Sequence, residues 1–554
     1  MNEKLKEEKM KRFFIMLISL VVITTSVFAT GQKEGAAGKG DHFSIFFGVP
    51  GTPPTADNKI FKLLKDELGV TFEAEYLVGD LNQKIGVMIA GGQYPDVITG
   101  GDAAAAMIKA GMVIPLEDLI MKNAPRLYEH YKAVWNQIKN PADGHIYFMP
   151  DYGVIYKKYT ATRSMGPAFF IQRGVLKEFN YPTIRTLDEY FDLIKKYKEK
   201  YPTIDGKPTI GFEVLSHSWR AFCLKNPPQH LIGHPNDGNV VVDPKTHVAQ
   251  IYHDKEYSKR YYKKLNDMFL QGLIEKETFV RDYDQYLQVL SSGRVLGMFD
   301  QCWDFLMADD SLKTQGLYDR TYVPTVPTFD GIRDYYCDRP ALNINRGFGI
   351  TTGCKDPAKF LKLLDTILSE KWQKILSWGI EGVDYMVDKN GRFYKTQAMR
   401  DNYVDSSWVA ANRAKDLYEC APKIEGLFND GNAWSPGDQP EEFFAGLKEP
   451  EKEYLKAYNY KTYMDVFSPP PPNRIDYPAW TITIDDGSPA QIAWTSIDNV
   501  LNRWLPKVIT ASAGTFDAVW ADYMTDLHKQ DIKAYEDAIN AGIQYRLKEW
   551  GPSK

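Results

Sequence analysis

A chain of 554 residues is longer than one ordinary hydrophobic core supports, and 44% apolar with 25% charged residues is the balance of a soluble globular protein. A net charge of −5 with no basic stripe removes the electrostatic basis for binding nucleic acid. The 12 Trp and 34 Tyr suit either a large core or a surface on which sugar faces stack.

Residues 1–29 read as a signal peptide. Lys4, Lys6, Lys9, Lys11 and Arg12 form a basic start, Phe13 to Val22 an apolar core, and Val27-Phe28-Ala29 a cleavage site. The apolar run is short for a bilayer span, and no later stretch is long and apolar enough for one. Residues 30–40 form a Gly/Ala/Lys spacer without periodicity, expected to be disordered. The cysteines, Cys223, Cys302, Cys337, Cys354 and Cys420, lack C-x-x-C spacing, which argues against a zinc or redox centre. Their odd number leaves at least one free thiol, and the pairing of the others stays open.

The mature chain opens on an alternation of elements. Phe43–Val49 is a strand, Asp57–Leu68 a helix and Thr71–Val78 a second strand. A helix then ends at Ala90, Gly91-Gly92 stop it, and Val97-Ile98 start a third strand. This is a β-α-β-α-β start to an open α/β body, in which ligands collect beyond the carboxyl ends of the strands. Further on, Phe169–Phe179 reads as a strand feeding a helix. Thr186 with Glu189 forms a capping box for Leu187–Lys200. Ser258–Gly272 is an amphipathic helix, Val295–Phe299 a strand, and Asn345–Thr352 a returning strand. Ile497–Val508 and Asp531–Arg546 are helices, and Phe516, Val519, Trp520, Tyr523, Met524 and Leu527 form an apolar helical stripe between them.

Several segments together carry a family resemblance. GGQYPDVITG (91–100) resembles the G-x-x-P-D-[VI] turn of extracellular solute-binding proteins that serve sugar ABC transporters. DGHIYFMP (143–150), QGLIEKETF (271–279) and SSGRVLGMFDQCWDF (291–305) resemble later segments of the same family. WGIEGVDYMVDKNGRFY (378–394) matches its y-G-i-E-G-x-d-Y motif almost residue for residue, and ITASAGTFDAVWADYMTDL (509–527) resembles its tail. The likeness is to family 1, in its large lipoprotein-like branch with alginate- and pectin-fragment binders.

The resemblance implies a two-lobed α/β periplasmic-binding-protein fold of class II type with helical C-terminal segments. The first lobe would take residues 41–155 and 341–410, and the second 156–340. Residues 411–554 would supply an excursion flanking the cleft and helices packed across the lobes. The implied function is capture of an oligosaccharide, possibly containing uronic acids, for delivery to ABC permease subunits. The protein would be a periplasmic monomer without cofactor or metal. Many relatives carry a lipid-anchoring cysteine after the signal, where this chain has Thr30-Gly31, so a lipid anchor is not expected. Some alginate-binding relatives carry a calcium loop near Asp205, but the alternating oxygen ligands are missing here.

Trp303, at the carboxyl end of the 295–299 strand, is the leading candidate for stacking on a sugar, with Trp219, Trp378, Tyr385, Trp408 and Trp480 as further rings. Asp96, Asp300 and Glu381 are candidates for bonding hydroxyls, and Arg346 for meeting a carboxylate. Each has a structural alternative in core packing, turn bracing or the hinge. The rival function is a secreted glycoside hydrolase, which needs two carboxylates facing each other across a glycosidic bond; Asp300 and Glu381 are the pair that would have to serve.

Overall fold

The computed structural model describes residues 40–337, 341–470 and 474–550. The expected signal peptide and the expected spacer up to residue 39 lie outside the described residues. Two main sheets, each with its own core, organise a mixed α/β fold. The first sheet begins with β1 (Asp41–Phe47), α1 (Lys59–Leu68), β2 (Val70–Tyr76), α2 (Leu81–Gly91) and β3 (Val97–Thr99). The Asn58 side chain accepts the Ile60 and Phe61 amides and so starts α1, and Gly69 and Gly92 end α1 and α2 in the left-handed conformation at φ 68° and 62°. β4 (Phe148–Met149) completes this part of the chain.

The second sheet contains β5 (Pro167–Gln172), which runs directly into α3 (Arg173–Glu178). α4 (Leu187–Lys200) follows, with the expected Thr186–Glu189 capping box formed. Next come β6 (Ile210–Glu213), α5 (Glu256–Leu270), β7 (Val295–Gln301), α6 (Cys302–Thr314) and β8 (Tyr322–Thr325). The chain then returns to the first sheet as β9 (Phe348–Ile350) and continues into α7 (Pro357–Ile367). Strand order is β2-β1-β3-β9-β4 in the first sheet and β8-β5-β7-β6 in the second.

The strand directions fix which rims meet. β1, β2 and β3 are parallel, and β4 runs the same way because β9 is antiparallel to both β3 and β4. In the second sheet β6, β7 and β8 run together, opposite to β5. The outgoing segment, residues 150–166, therefore leaves from the carboxyl end of β4 and enters β5 beside the carboxyl end of β7. The returning segment leaves the carboxyl end of β8 and enters β9 beside the carboxyl end of β3. Both crossings join the same two rims, and both rims are made of carboxyl ends.

Residues 411–470 bridge the bodies in turn. Ala414, Leu417 and Ala421 join the first core, whereas Tyr454, Leu455 and Tyr463 join the second. The last helices, α8 (Pro489–Ile509), α9 (Phe516–Leu527) and α10 (Ile532–Glu549), bury their apolar faces in the second core. They enlarge that body more than they lie across the two; α10 meets the first body where Asn136 Nδ2 donates to the Glu549 carbonyl at 3.3 Å. No helix among the described residues is long and apolar enough to cross a membrane. None of the five cysteines forms a disulfide.

A small satellite core accounts for the GIEG motif. Trp378, Tyr385, Phe393 and Phe428 pack together, and the Trp378 indole N–H donates to the Ala433 carbonyl at 2.9 Å. Trp378 is fully buried and Tyr385 is 4% exposed, so neither ring offers a face to a ligand. The motif is a packing device: Gly379, at φ 102°, lies so close to Asp384 that a Cβ there would collide with it. Replacing Trp378 with Ala is expected to cost about 3–5 kcal/mol of stability through the cavity left behind. Denaturant titration measures this, and a variant as stable as wild type contradicts the core role.

His130, His230 and His253 are also buried, and burial pushes each imidazole's pKa down to about 3. An unfolded imidazole takes up its proton near pH 6.5. Between those values the unfolded chain binds more protons than the folded one, so these residues make stability fall as pH falls from 6.5 towards 3. His230 packs against Tyr336, centroids 4.9 Å apart, and a phenyl ring suits the same space. His230→Phe is expected to make the acid limb shallower by up to about 1.4 kcal/mol per pH unit. Denaturant midpoints between pH 6 and 4 test this; identical slopes in the two proteins would refute it.

Candidate functional site

The second rim carries the most exposed aromatic group. β7 ends at Gln301 and α6 begins at once, which places Trp303 in the first turn of the helix, on the rim. β6 ends at Glu213, and the following loop brings Trp219 to the same place. The two indoles stack, centroids 5.8 Å apart and planes 12° from parallel, while Phe222 lies 6.0 Å from each. Trp219 is 60% and Trp303 38% exposed, although a large aromatic side chain is ordinarily buried. The Trp303 indole N–H donates to Gln301 Oε1 at 2.7 Å, which sets its ring orientation.

Beneath the indoles lies a buried polar cluster. Asp300 is fully buried and accepts from the Tyr286 hydroxyl at 2.6 Å, the Cys223 thiol at 3.1 Å and the Gln301 amide at 2.7 Å. Burial first, then the nearby Asp304 carboxylate, push its pKa up to about 8. Asp304, 1% exposed, pairs with Arg220 Nε at 2.7 Å, and burial raises its pKa as well. Asp300 was expected to bond a ligand; it instead ties β7 to the helices beneath the rim. Cys223, Asp300 and Asp304 have ligand atoms within 4.8 Å of one another, the spacing of a metal site. Arg220 already supplies the cation there, and burial holds the Cys223 thiol in its protonated form, so the donor set does not fit a metal ion.

The first rim is less aromatic on its exposed side. Val49 and Val78, just beyond β1 and β2, are 52% and 91% exposed. Arg346 stands on the return segment, where its Nη2 meets Asp151 of the outgoing segment at 3.0 Å and its guanidinium lies 5.1 Å from the Tyr152 ring. It braces the two crossings, with half of its side chain still exposed. Glu425 joins the same brace by accepting the Gly153 amide at 2.6 Å, and burial pushes its pKa up to about 7.

The remaining candidates disperse. Asp96 lies at the amino end of β3, away from the rim, where it accepts the Ser44 amide and hydroxyl at 2.8 and 2.7 Å and locks β1 to β3. Its proximity in sequence to the Gly-Gly turn hid the fact that a strand separates it from the carboxyl end. Glu381 is exposed on the turn beside Trp378. Asp300 is fully buried and spent on internal hydrogen bonds, so it cannot serve with Glu381 as a hydrolase pair. Trp408, half-buried in the helix Ser406–Asn412, lies under the Lys59 ammonium at 5.3 Å on the first body. Trp480, 45% exposed, packs on the Gly238 loop of the second body. In the 203–208 hairpin Asp205 pairs with Arg320, so the carboxylate that a calcium loop would use is committed. Sequence reasoning missed Arg220, Phe222, Tyr283 and Asp304. Three of them adjoin or nearly adjoin a flagged tryptophan, whereas Tyr283 is brought in from a distant helix and had no local signal.

Comparison with known proteins adds the family. Residues 59–380, more than half of the chain, match the bacterial extracellular solute-binding protein model SBP_bac_8. The chain is 26% identical over 254 residues to the fructooligosaccharide ABC transporter substrate-binding protein FusA of Streptococcus pneumoniae, covering 43% of this chain and 45% of the relative. It is 24% identical over 426 residues to the polygalacturonan/rhamnogalacturonan-binding protein YtcQ of Bacillus subtilis, covering 69% of this chain and 76% of that protein. Among solved structures, an HMO-binding ABC-transporter-associated solute-binding protein from Bifidobacterium longum infantis superposes with a TM-score of 0.64 at 17% identity, covering 92% of this chain and 99% of that one. By name, these relatives are substrate- or solute-binding proteins, two of them of ABC transporters. The chain belongs to the bacterial extracellular solute-binding protein family.

Proposed function

We propose that this protein is the extracytoplasmic substrate-binding component of an ABC importer and captures an oligosaccharide between its two rims. The observation that carries the reading is the exposed Trp219–Trp303 stack at the carboxyl end of β7. Pyranose and furanose rings present C–H faces that pack on indole, and flanking polar groups bond the hydroxyls. Two crossing segments permit the bodies to close on the sugar, exclude water and present a joint surface to permease subunits. The insertion of β9 between β3 and β4 supports the class II reading of the fold. Arg346, with part of its guanidinium still exposed, suits a ligand carboxylate, and the homology to a polygalacturonan-binding protein points the same way. The protein acts as a monomer without metal or cofactor.

Isothermal calorimetry against fructo-, galacturono- and human-milk oligosaccharides, with the sugars checked afterwards for cleavage, tests the function. Binding of one class without hydrolysis is expected; cleavage, or no binding by any class, contradicts it. Trp303→Ala is expected to lose on the order of 1–3 kcal/mol of affinity for the bound class. Its effect on folding should be far smaller than that of Trp378→Ala. A well-folded variant with unchanged affinity removes Trp303 from the site.

Export follows from the basic, apolar and small-residue segments of the first 29 residues. N-terminal sequencing of protein recovered from the periplasm should begin at Thr30. A chain beginning at Met1 would sink the export reading.

A further inference from the structure

Arg220 does not point into the space between the rims as a free cation. Its guanidinium carbon lies 4.3 Å from the Trp219 ring centre and 3.8 Å from that of Tyr283, and its Nε meets Asp304 at 2.7 Å. Tyr283 is itself fixed, donating its hydroxyl to the Asp304 main-chain carbonyl at 2.6 Å. Asp304 directly follows Trp303 in α6. One planar cation therefore ties the loop carrying Trp219 to the helix carrying Trp303, and does so from below the exposed rings. The loop needs such a tie. Ser218, immediately before Trp219, has φ 55°, and the 3-10 turn Ser218–Ala221 has no side-chain cap.

We propose that Arg220, held by Asp304 and Tyr283, is the positioning residue that sets the stacked geometry of Trp219 and Trp303 and so the shape of the surface offered to a sugar. The proposal rests on the reading of that pair as the ligand platform, but its structural half stands without any ligand. Only a planar, delocalised cation can stack on two rings and bond a carboxylate at the same time; a lysine ammonium supplies charge without the plane. The carboxylate is well placed to hold it. Asp304 and Asp300 are both buried, and a single proton held on Asp300 leaves Asp304 to carry the one charge that Arg220 balances. Oδ2 of Asp304 has no hydrogen-bond donor among the described residues.

The test uses full-length mature protein labelled with 5-fluorotryptophan, with the two fluorine resonances assigned from Trp219→Phe and Trp303→Phe. Arg220→Met keeps side-chain volume without charge or plane, Arg220→Lys keeps charge alone, and Asp304→Asn keeps shape. In the unliganded protein, Arg220→Met and Arg220→Lys should both shift and broaden the Trp219 and Trp303 resonances while leaving the other tryptophans in place. Asp304→Asn should move the same two lines. Calorimetry with 1-kestose and trigalacturonate as probes should then show affinity for the probe that wild type binds falling about tenfold or more in both Arg220 variants. Unchanged resonances in Arg220→Met, or full rescue by Arg220→Lys, overturns the proposal. Moved resonances with unchanged affinity also overturn it, because the geometry would then not serve binding. If wild type binds neither probe, the reading of the ligand fails for those sugars, while the resonances still decide whether Arg220 sets the stack.

Discussion

The structure depends on two crossing segments that run backbone to backbone between the sheets. Gly347, at φ 85°, passes so close to the Met149 carbonyl that a Cβ would collide with it, and Gly100 stands in the same relation to the Asn345 carbonyl. No side chain fits between outgoing and returning chain at these points. The close approach lets β9 enter between β3 and β4, and that insertion makes the first sheet continuous with the return from the second body. Arg346 on Asp151 and Glu425 on the Gly153 amide tie the crossings together by polar contacts. Directional bonds at a few points allow a change of angle that a packed apolar interface would resist.

The same division explains where charge is buried. Beneath the second rim, Asp304 holds Arg220 while Asp300 bonds only neutral donors; at the crossings, Asp151 holds Arg346 while Glu425 accepts the Gly153 amide. In both places a buried carboxyl lacks a directly paired cation, and burial raises its pKa, that of Asp300 to about 8 and that of Glu425 to about 7. A protonated acid costs far less to bury than a second unpaired charge, and it can donate where an anion cannot. These groups do structural work next to the candidate site without forming part of its surface. This is the physical reason that a carboxylate following a strand, such as Asp300, was a poor choice for a ligand contact.

Much of the fold was legible in the sequence. The β-α-β-α-β opening, the Thr186–Glu189 capping box, the strand ending near Trp303 and the long tail helices all rest on local rules of periodicity and capping, and local rules act wherever the residues stand in the chain. The site was less legible because exposure is not local. Trp378 and Trp303 each adjoin a helix end, in segments that resemble the same family. One is fully buried behind Ala433, 55 residues on, and the other is exposed because its strand ends at a rim. Nothing in either segment distinguishes them. Asp96 shows the same limit in miniature: the turn was read correctly, but the end of the sheet to which it belongs depends on Ser44, 52 residues earlier. Tyr283 and Arg220 met only through the packing of a distant helix, so no spacing announced them.

The stacked pair also explains how so much indole can stand in water before any ligand arrives. Two isolated tryptophans on a rim would each expose two faces and an edge, and such rings tend to associate with other proteins or collapse inwards. Stacking Trp219 on Trp303 hides part of one face of each. Fixing both rings beforehand reduces the side-chain entropy lost when a sugar binds, so more of the contact energy appears as affinity. The buried carboxylates, the arginine and the short turn between β7 and α6 thus act on one quantity, the freedom of two rings. On the function proposed above, a rim built this way would select by the shape and spacing of sugar faces and leave the discrimination of charge to the crossings, where Arg346 keeps part of its guanidinium exposed.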